Sequence, residues 1–223
     1  PASRENQLLN PLMSNDGVNA VLLSGGSAFG LDAAGGVMRY LEGKGRGVKV
    51  GDAIVPIVVG SCIFDLGCVD GKVRPDASMG YAACLNSEEN VEKNGNVGAG
   101  MGATVGKLHG ADFSMKAGLG CYAVQTGMLQ VGAIVVVNAI GDVFEMDSQK
   151  QLAGLLNKDK TGMISSEEEA VKLLQLASLF SLNTTIACIV TNAKLDKAEM
   201  NKVAAMASNG IARTIRPVNT SMD

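Results

Sequence analysis

Thr184 follows Asn183 in the run SLNTTIACIV, where a helix-like segment gives way to an apolar, β-branched one. A threonine hydroxyl becomes a nucleophile when a base takes its proton. The chain holds one histidine, His109, in the turn-like stretch GKLHGAD. A Ser-His-Asp triad would have to rest on it alone, and its context reads as structural or solvated. Cutting the Asn183–Thr184 bond offers another route. Thr184 Oγ can attack the preceding carbonyl in an N→O shift, and the freed α-amine, with an unperturbed pKa of about 8, would sit beside the hydroxyl it must deprotonate. The plain alternative is that Thr184 and Thr185 begin a strand, as β-branched residues do.

Two more polar residues stand among apolar or glycine-rich neighbours. Asn138 closes VGAIVVVN. The C-terminal ends of strands in α/β sheets favour sites, and an Asn amide offers two N–H donors, which suits an oxyanion hole. It would equally close a turn with Ala139, Ile140 and Gly141. Lys107 ends GNVGAGMGATVGK and reads as a site cation or as a solvated charge. Within that stretch GAGMGA (98–103) satisfies G-x-G-x-x-G/A. A dinucleotide fingerprint needs a strand just before it and a helix opening at the glycines; here the polar run SEENVEKNGN precedes it. The expected role is close backbone packing, with amides such as that of Gly100 lining a pocket.

No cofactor and no metal are expected. The five cysteines, Cys62, Cys68, Cys84, Cys121 and Cys188, are odd in number and form no CxxC. Such spacing argues against a zinc site and a disulfide framework, and one histidine cannot build a multi-histidine centre. The thiols are expected to be small buried hydrophobes in a reducing, cytoplasmic compartment.

The 223 residues, 47% of them hydrophobic, suffice for a sizeable core to carry these groups. Charged residues are 18% and the net charge is −3, which argues against a nucleic-acid partner. No apolar run has the length of a membrane span, and no N-terminal segment resembles a signal peptide. The 28 glycines, 4% aromatics and absent tryptophan favour tightly packed layers. The expectation is one domain over 1–223, truncated at both ends.

The pattern predicts strands at 18–24 and within 52–67, the latter interrupted by Pro56, with a helix after GGSAFG between them. Pro75 stands near another helix start. The strongest strand signal is 128–144, and 147–163 reads as a surface loop with one helical turn. A helix over 165–180 opens with Ser165–Glu168 or Ser166–Glu169 at capping-box spacing. A strand over 184–190 follows, then a helix capped by Asp196 with Val203, Met206, Ala207 and Ile211 on one face. These elements predict an α/β domain with fully buried strands covered by helices.

Seven ordered blocks, among them VNAVLLSGGSAFGLDAAGGVMRYLE, VPIVVGSCIFDLG, GNVGAGMGATVGK, VGAIVVVNAIGDV, NTTIACIVTNAKLDKAE and GIARTIRPVNTSMD, resemble the DmpA-like, or P1-type, peptidases over nearly the whole chain. That family contains L-aminopeptidase/D-amidase-esterases, β-peptidyl aminopeptidases and nylon-oligomer hydrolases. The resemblance implies a four-layer α-β-β-α sandwich, similar in layering to N-terminal-nucleophile hydrolases. It implies self-cleavage into 1–183 and 184–223, and homo-oligomers, typically tetramers of α/β units. It implies Thr184 as nucleophile, Asn138 as the residue polarising the substrate carbonyl, Lys107 near the nucleophile and Asp223 as a polar residue beside it. Phe64 stands where several members carry a pocket tyrosine, and Asn219 where the family usually has histidine, so both roles are open. The implied activity is release of N-terminal residues from short peptides or amides through a Thr acyl-enzyme. An acyl transferase resembling ornithine acetyltransferase, or an unprocessed non-catalytic member, are the alternatives. The substrate class, whether α-, β- or D-peptide or synthetic amide, is left open.

Overall fold

β-Branched and small apolar residues dominate the stretches that become strands, and punctuation by Gly, Pro and Asp separates them. The computed structural model describes residues 2–68, 70–89, 91–173 and 183–220. The first part of the chain runs β1 (Ala2–Arg4), β2 (Ala20–Ser24), a 3-10 turn over Ser27–Asp32, α1 (Ala33–Gly43), β3 (Val48–Val50), β4 (Ala53–Val55) and β5 (Val58–Cys62). It continues with α2 (Ala77–Ser87), β6 (Thr104–Val105), β7 (Met115–Lys116), β8 (Leu119–Thr126) and β9 (Leu129–Asn138). The last part holds β10 (Asp142–Phe144), β11 (Gln151–Ala153), α3 (Ser166–Leu173), β12 (Thr184–Thr191), α4 (Lys197–Thr214) and β13 (Ile215–Arg216).

The fold is mixed α/β. Its sheets among the described residues run β1-β5-β2, β12-β9-β8 and β11-β10-β13, with two-stranded pieces β3-β4 and β6-β7. The expected 52–67 strand divides at Pro56 into β4 and β5, because proline cannot donate to a ladder. β2 and β5 pair in parallel, and α1 lies in the connection that such a pair requires. Ala34, Val37 and Leu41 of α1 bury against Val58; fully burying each of the larger ones is worth about 1.5–3 kcal/mol.

The central sheet departs from the expectation of fully buried strands. β8, β9 and β12 are antiparallel; only Gly127 and Met128 join β8 to β9, and a two-residue link permits nothing else for that pair. Gly127 has φ +59, as such turns require. Most of β8 is exposed, and Tyr122 and Val124 face solvent. A second departure is β11 within the expected loop 147–163, where Ala153 pairs with Val143 and Gln151 with Phe144. The polar residues around it hid a short edge strand. Only Cys62 of the five thiols is buried, and burial pushes it up to about 11.

The helix starts are built by side chains. Asp76, one residue after Pro75, accepts from Met79 N at 2.8 Å to cap α2. Ser165 Oγ accepts from Glu168 N at 3.2 Å at the start of α3; the rest of the expected 165–180 helix lies outside the described residues. Asp196 and Glu199 form a reciprocal capping box on α4. Met206 of α4 is exposed, whereas Val203, Ala207 and Ile211 face inward. The first turn of α4 also grips the N-terminal loop. Lys197 Nζ donates to Leu8 O, Asn10 O, Met13 O and Asn15 Oδ1 at 2.8–3.3 Å, and Asn201 Nδ2 donates to Leu9 O at 2.9 Å. No helix among the described residues is long and apolar enough to cross a membrane.

Candidate active site

Thr184 opens β12, Asn138 closes β9, and the two are direct partners in the antiparallel ladder. Opposed residues of such a pair stand on one face of the sheet, with Cβ atoms about 5 Å apart. That face also carries Val136 and Ile186, which pack on Ile63, Ala99 and Ala103. Asn138 is 0% exposed and Thr184 4%, and Asn183 is buried with them. Thr184 Oγ1 donates to the Asn183 carbonyl oxygen at 2.5 Å, so the hydroxyl lies against the carbonyl of the residue before it.

The Asn138 side chain is pinned at both ends. Its Oδ1 accepts from Thr104 N at 3.1 Å and from Lys107 Nζ at 2.8 Å. Its Nδ2 donates to the Phe64 carbonyl oxygen at 2.8 Å. Two donors at one end and an acceptor at the other establish which atom is oxygen. Lys107 Nζ also donates to the Asn138 backbone oxygen at 2.9 Å. The lysine is brought in by Gly106, whose φ is +68 and where a Cβ would fall 2.0 Å from the Gly154 backbone. Gly106 N and Lys107 N then donate to Gly141 O and Ile140 O, both at 3.0 Å, which stitches the 106–107 segment to the turn that follows Asn138.

Asp142 anchors the far end of that turn. Fully buried, its carboxylate accepts from Leu155 N at 2.8 Å, Ser166 N at 2.7 Å and Ser166 Oγ at 2.6 Å. Burial raises the carboxyl above the ordinary range, against the pull of these hydrogen bonds. The first turn of α3 is thereby tied to the start of β10, at the end of the turn that follows Asn138.

Of the residues singled out in the sequence, the structure gathers Thr184, Asn183, Asn138 and Lys107. Phe64 joins them through its backbone carbonyl. Gly100 is packed on β8, where a Cβ would fall 2.2 Å from Leu119 N. Asp223 lies outside the described residues. His109 stands elsewhere, its Nε2 3.3 Å from Glu169 Oε2 and its ring edge-on to Phe113. Asn219 is exposed, with φ +53. The sequence reading missed the Thr104 amide and the Phe64 carbonyl, because backbone groups leave no mark in residue types. Asp142 did leave one: a carboxylate just after an unbroken apolar strand.

A cavity of about 530 Å³ lies on the opposite face of the sheet, between β9, β12 and α4, lined by Val135, Ala187, Ile189, Val203 and Ala207 among others. It is apolar, and neither Thr184 nor Asn138 lines it. Among the described residues no three His, Cys, Asp or Glu side chains stand together as metal ligands would.

Comparison with known proteins gives this geometry a context. An uncharacterised aminopeptidase of Mycobacterium leprae is 42% identical over 231 residues, taking in 100% of this chain and 62% of that protein. The chain thus spans less than two thirds of that relative's length. A 6-aminohexanoate-oligomer endohydrolase of a Kocuria species is 28% identical over 212 residues, covering 92% of this chain and 58% of the relative. A crystal structure of a Pyrococcus horikoshii protein aligns with TM-score 0.52 at 22% identity, over 87% of this chain and 48% of that one, a likeness of fold. The sequence profile of peptidase family S58 matches residues 1–223 from end to end, and the chain belongs to that family, the DmpA-like peptidases.

Proposed function

We propose that this chain is a self-processing amidohydrolase of the aminopeptidase type, with Thr184 as nucleophile of both its own cleavage and its catalysis. The observation that carries the reading is the Thr184 hydroxyl on the Asn183 carbonyl, directly across the ladder from Asn138. In processing, Thr184 Oγ attacks the Asn183 carbonyl carbon, and the hydroxyl proton passes to the departing amide nitrogen. Water then hydrolyses the ester, leaving a carboxylate on Asn183 and a free amine on Thr184. In catalysis that amine takes the hydroxyl proton as Oγ attacks a substrate carbonyl, and gives it to the leaving amine. The acyl-enzyme is released by water.

Asn138 supplies the charge stabilisation. One Nδ2 hydrogen is committed to Phe64 O, and among the described residues the second has no acceptor, which leaves it for the oxyanion. Lys107 on Oδ1 polarises the amide, and Asp223 tunes the site. Fragments 1–183 and 184–223 remain one domain after the cut, joined by the β9–β12 ladder. The layers are those of an α-β-β-α sandwich, and the working form is a cytoplasmic homo-oligomer, a tetramer of α/β units. The substrates are short peptides or amides; relatives named aminopeptidase and 6-aminohexanoate-oligomer endohydrolase support amide hydrolysis.

Intact mass spectrometry tests the proposal. The expected result is two fragments divided between Asn183 and Thr184, and one undivided mass for Thr184→Ala with no hydrolysis of N-terminal amide substrates. A Thr184→Ala protein that still divides there overturns it.

A further inference from the structure

The glycine stretches GGSAFG and GAGMGA have no part in the chemistry above, yet both close on one side chain, Asp65. Asp65 Oδ1 accepts from Gly26 N at 2.7 Å. A Cβ on Gly25 would fall 2.5 Å from Asp65 Oδ2, and one on Gly102 would fall 2.2 Å from it. A side chain at either position would push the carboxylate out of its place. The surrounding backbone is held as well. Ile63 N donates to Ser24 O, and Ser27 N donates to Ile63 O, both at 2.9 Å, while Cys68 N donates to Asp65 O at 3.0 Å. The ion pairs among the described residues involve other carboxylates.

Asp65 follows Phe64 in one of the two segments that clamp Asn138, and its carboxylate packs on Gly102 in the other while its hydrogen bond holds Gly26 N. The Phe64 carbonyl, which receives Asn138 Nδ2, belongs to the planar peptide unit that includes Asp65 N and Asp65 Cα. Holding Asp65 thus aims that carbonyl. Gly102 lies two residues before Thr104, whose N–H holds Asn138 Oδ1. We infer that Asp65 is a positioning residue, locking the Phe64 and Thr104 segments together so that the Asn138 amide presents its second hydrogen to the oxyanion. The inference rests on Asn138 having that role.

The test uses the full chain with Asp65→Ala, Asp65→Asn and Gly102→Ala, and Gly17→Ala as a control, since nothing lies within 4 Å of a Cβ there. A misplacement of about 1 Å can cost about 100-fold in rate. Asp65→Ala and Gly102→Ala are expected to lower kcat and the self-cleavage rate by about 10- to 100-fold, with KM within about threefold. Asp65→Asn keeps an acceptor for Gly26 N–H and is expected to recover most of the rate. An Asp65→Asn protein as impaired as Asp65→Ala, with raised KM, would make Asp65 a direct contact for substrate charge and overturn the inference. The second measurement is the Asn138 side-chain NH₂ signal in a ¹⁵N NMR spectrum of the Thr184→Ala background. It is expected to move in Asp65→Ala and Gly102→Ala and to stay in Asp65→Asn. An unmoved signal in Gly102→Ala overturns the inference even if Asp65→Ala does not fold. This readout does not depend on whether Thr184 is the nucleophile, so the two proposals fail separately.

Discussion

Thr184 and Asn138 face each other at the ends of neighbouring antiparallel strands, and one slip of register would separate them. The side-chain period of a strand is two, so a shift of one residue would turn Thr184 to the apolar cavity side. The ladder from Thr184–Asn138 to Thr191–Val131 holds the register over eight pairs. The opposition of Thr184 and Asn138 is therefore a property of the sheet.

Asn138→Asp is nearly isosteric and isolates the amide from the packing. It places an oxygen where Nδ2 now donates to Phe64 O at 2.8 Å, setting two acceptors against each other. Losing one oxyanion donor typically costs about 10²–10³ in rate, and an unsatisfied buried pair costs about 1–3 kcal/mol. A time course of intact mass should show self-cleavage slowed by about 100-fold or more, with a lower unfolding midpoint in urea. Cleavage at the original rate would remove the Asn138 amide from the mechanism.

Lys197 ties the segment that follows β12 to residues 8–15. Its ammonium donates to four oxygens of residues 8–15. Hydrogen bonds to a charged group are worth about 1.5–3 kcal/mol. Lys197→Met keeps the length of the stem and removes the donors, leaving the loop carbonyls to water. The expected outcome is a loss of about 1–3 kcal/mol in denaturant unfolding, with weaker amide-exchange protection at residues 8–15. Self-cleavage should be unchanged, because these contacts lie in the N-terminal loop and away from Thr184 and Asn138.

The helices and buried strands were legible because their signals are local. Asp196 with Glu199 announced α4 by side-chain spacing, and VGAIVVVN announced β9 by its unbroken apolar run. Thr184, Asn138 and Lys107 were singled out by residue type and then by family resemblance. What remained hidden depends on partners distant in sequence. The Phe64 carbonyl and Thr104 amide meet Asn138 through the backbone, which residue type does not record. The glycines of GAGMGA imitated a nucleotide fingerprint because close packing, of Gly102 on a carboxylate and of Gly100 on the β8 backbone, and close approach to a phosphate both require the absence of Cβ. The antiparallel central sheet was missed because continuous apolar strands were read as buried on both faces, while direction is set by the two-residue link at Gly127–Met128.

Asp142 sets burial against hydrogen bonding, and pH decides which prevails. Three donors, from Leu155 and Ser166, favour the ionised carboxylate, while its complete burial favours the neutral acid. The balance raises its folded-state pKa above the ordinary 3.8. A raised folded-state value means the native protein holds a proton that the unfolded chain has released. The stabilising contribution is fully present below about pH 4 and is lost as pH rises through the folded-state value. Asp142→Asn has no such titration, and its Nδ2 must face a donor, either Leu155 N or Ser166 N, which costs about 1–3 kcal/mol. Urea unfolding of both proteins from pH 4 to 7 should therefore show wild type more stable throughout, with its advantage greatest in acid and shrinking toward neutrality. An advantage that grows with pH would mean that the three hydrogen bonds outweigh burial and that Asp142 anchors α3 as a carboxylate.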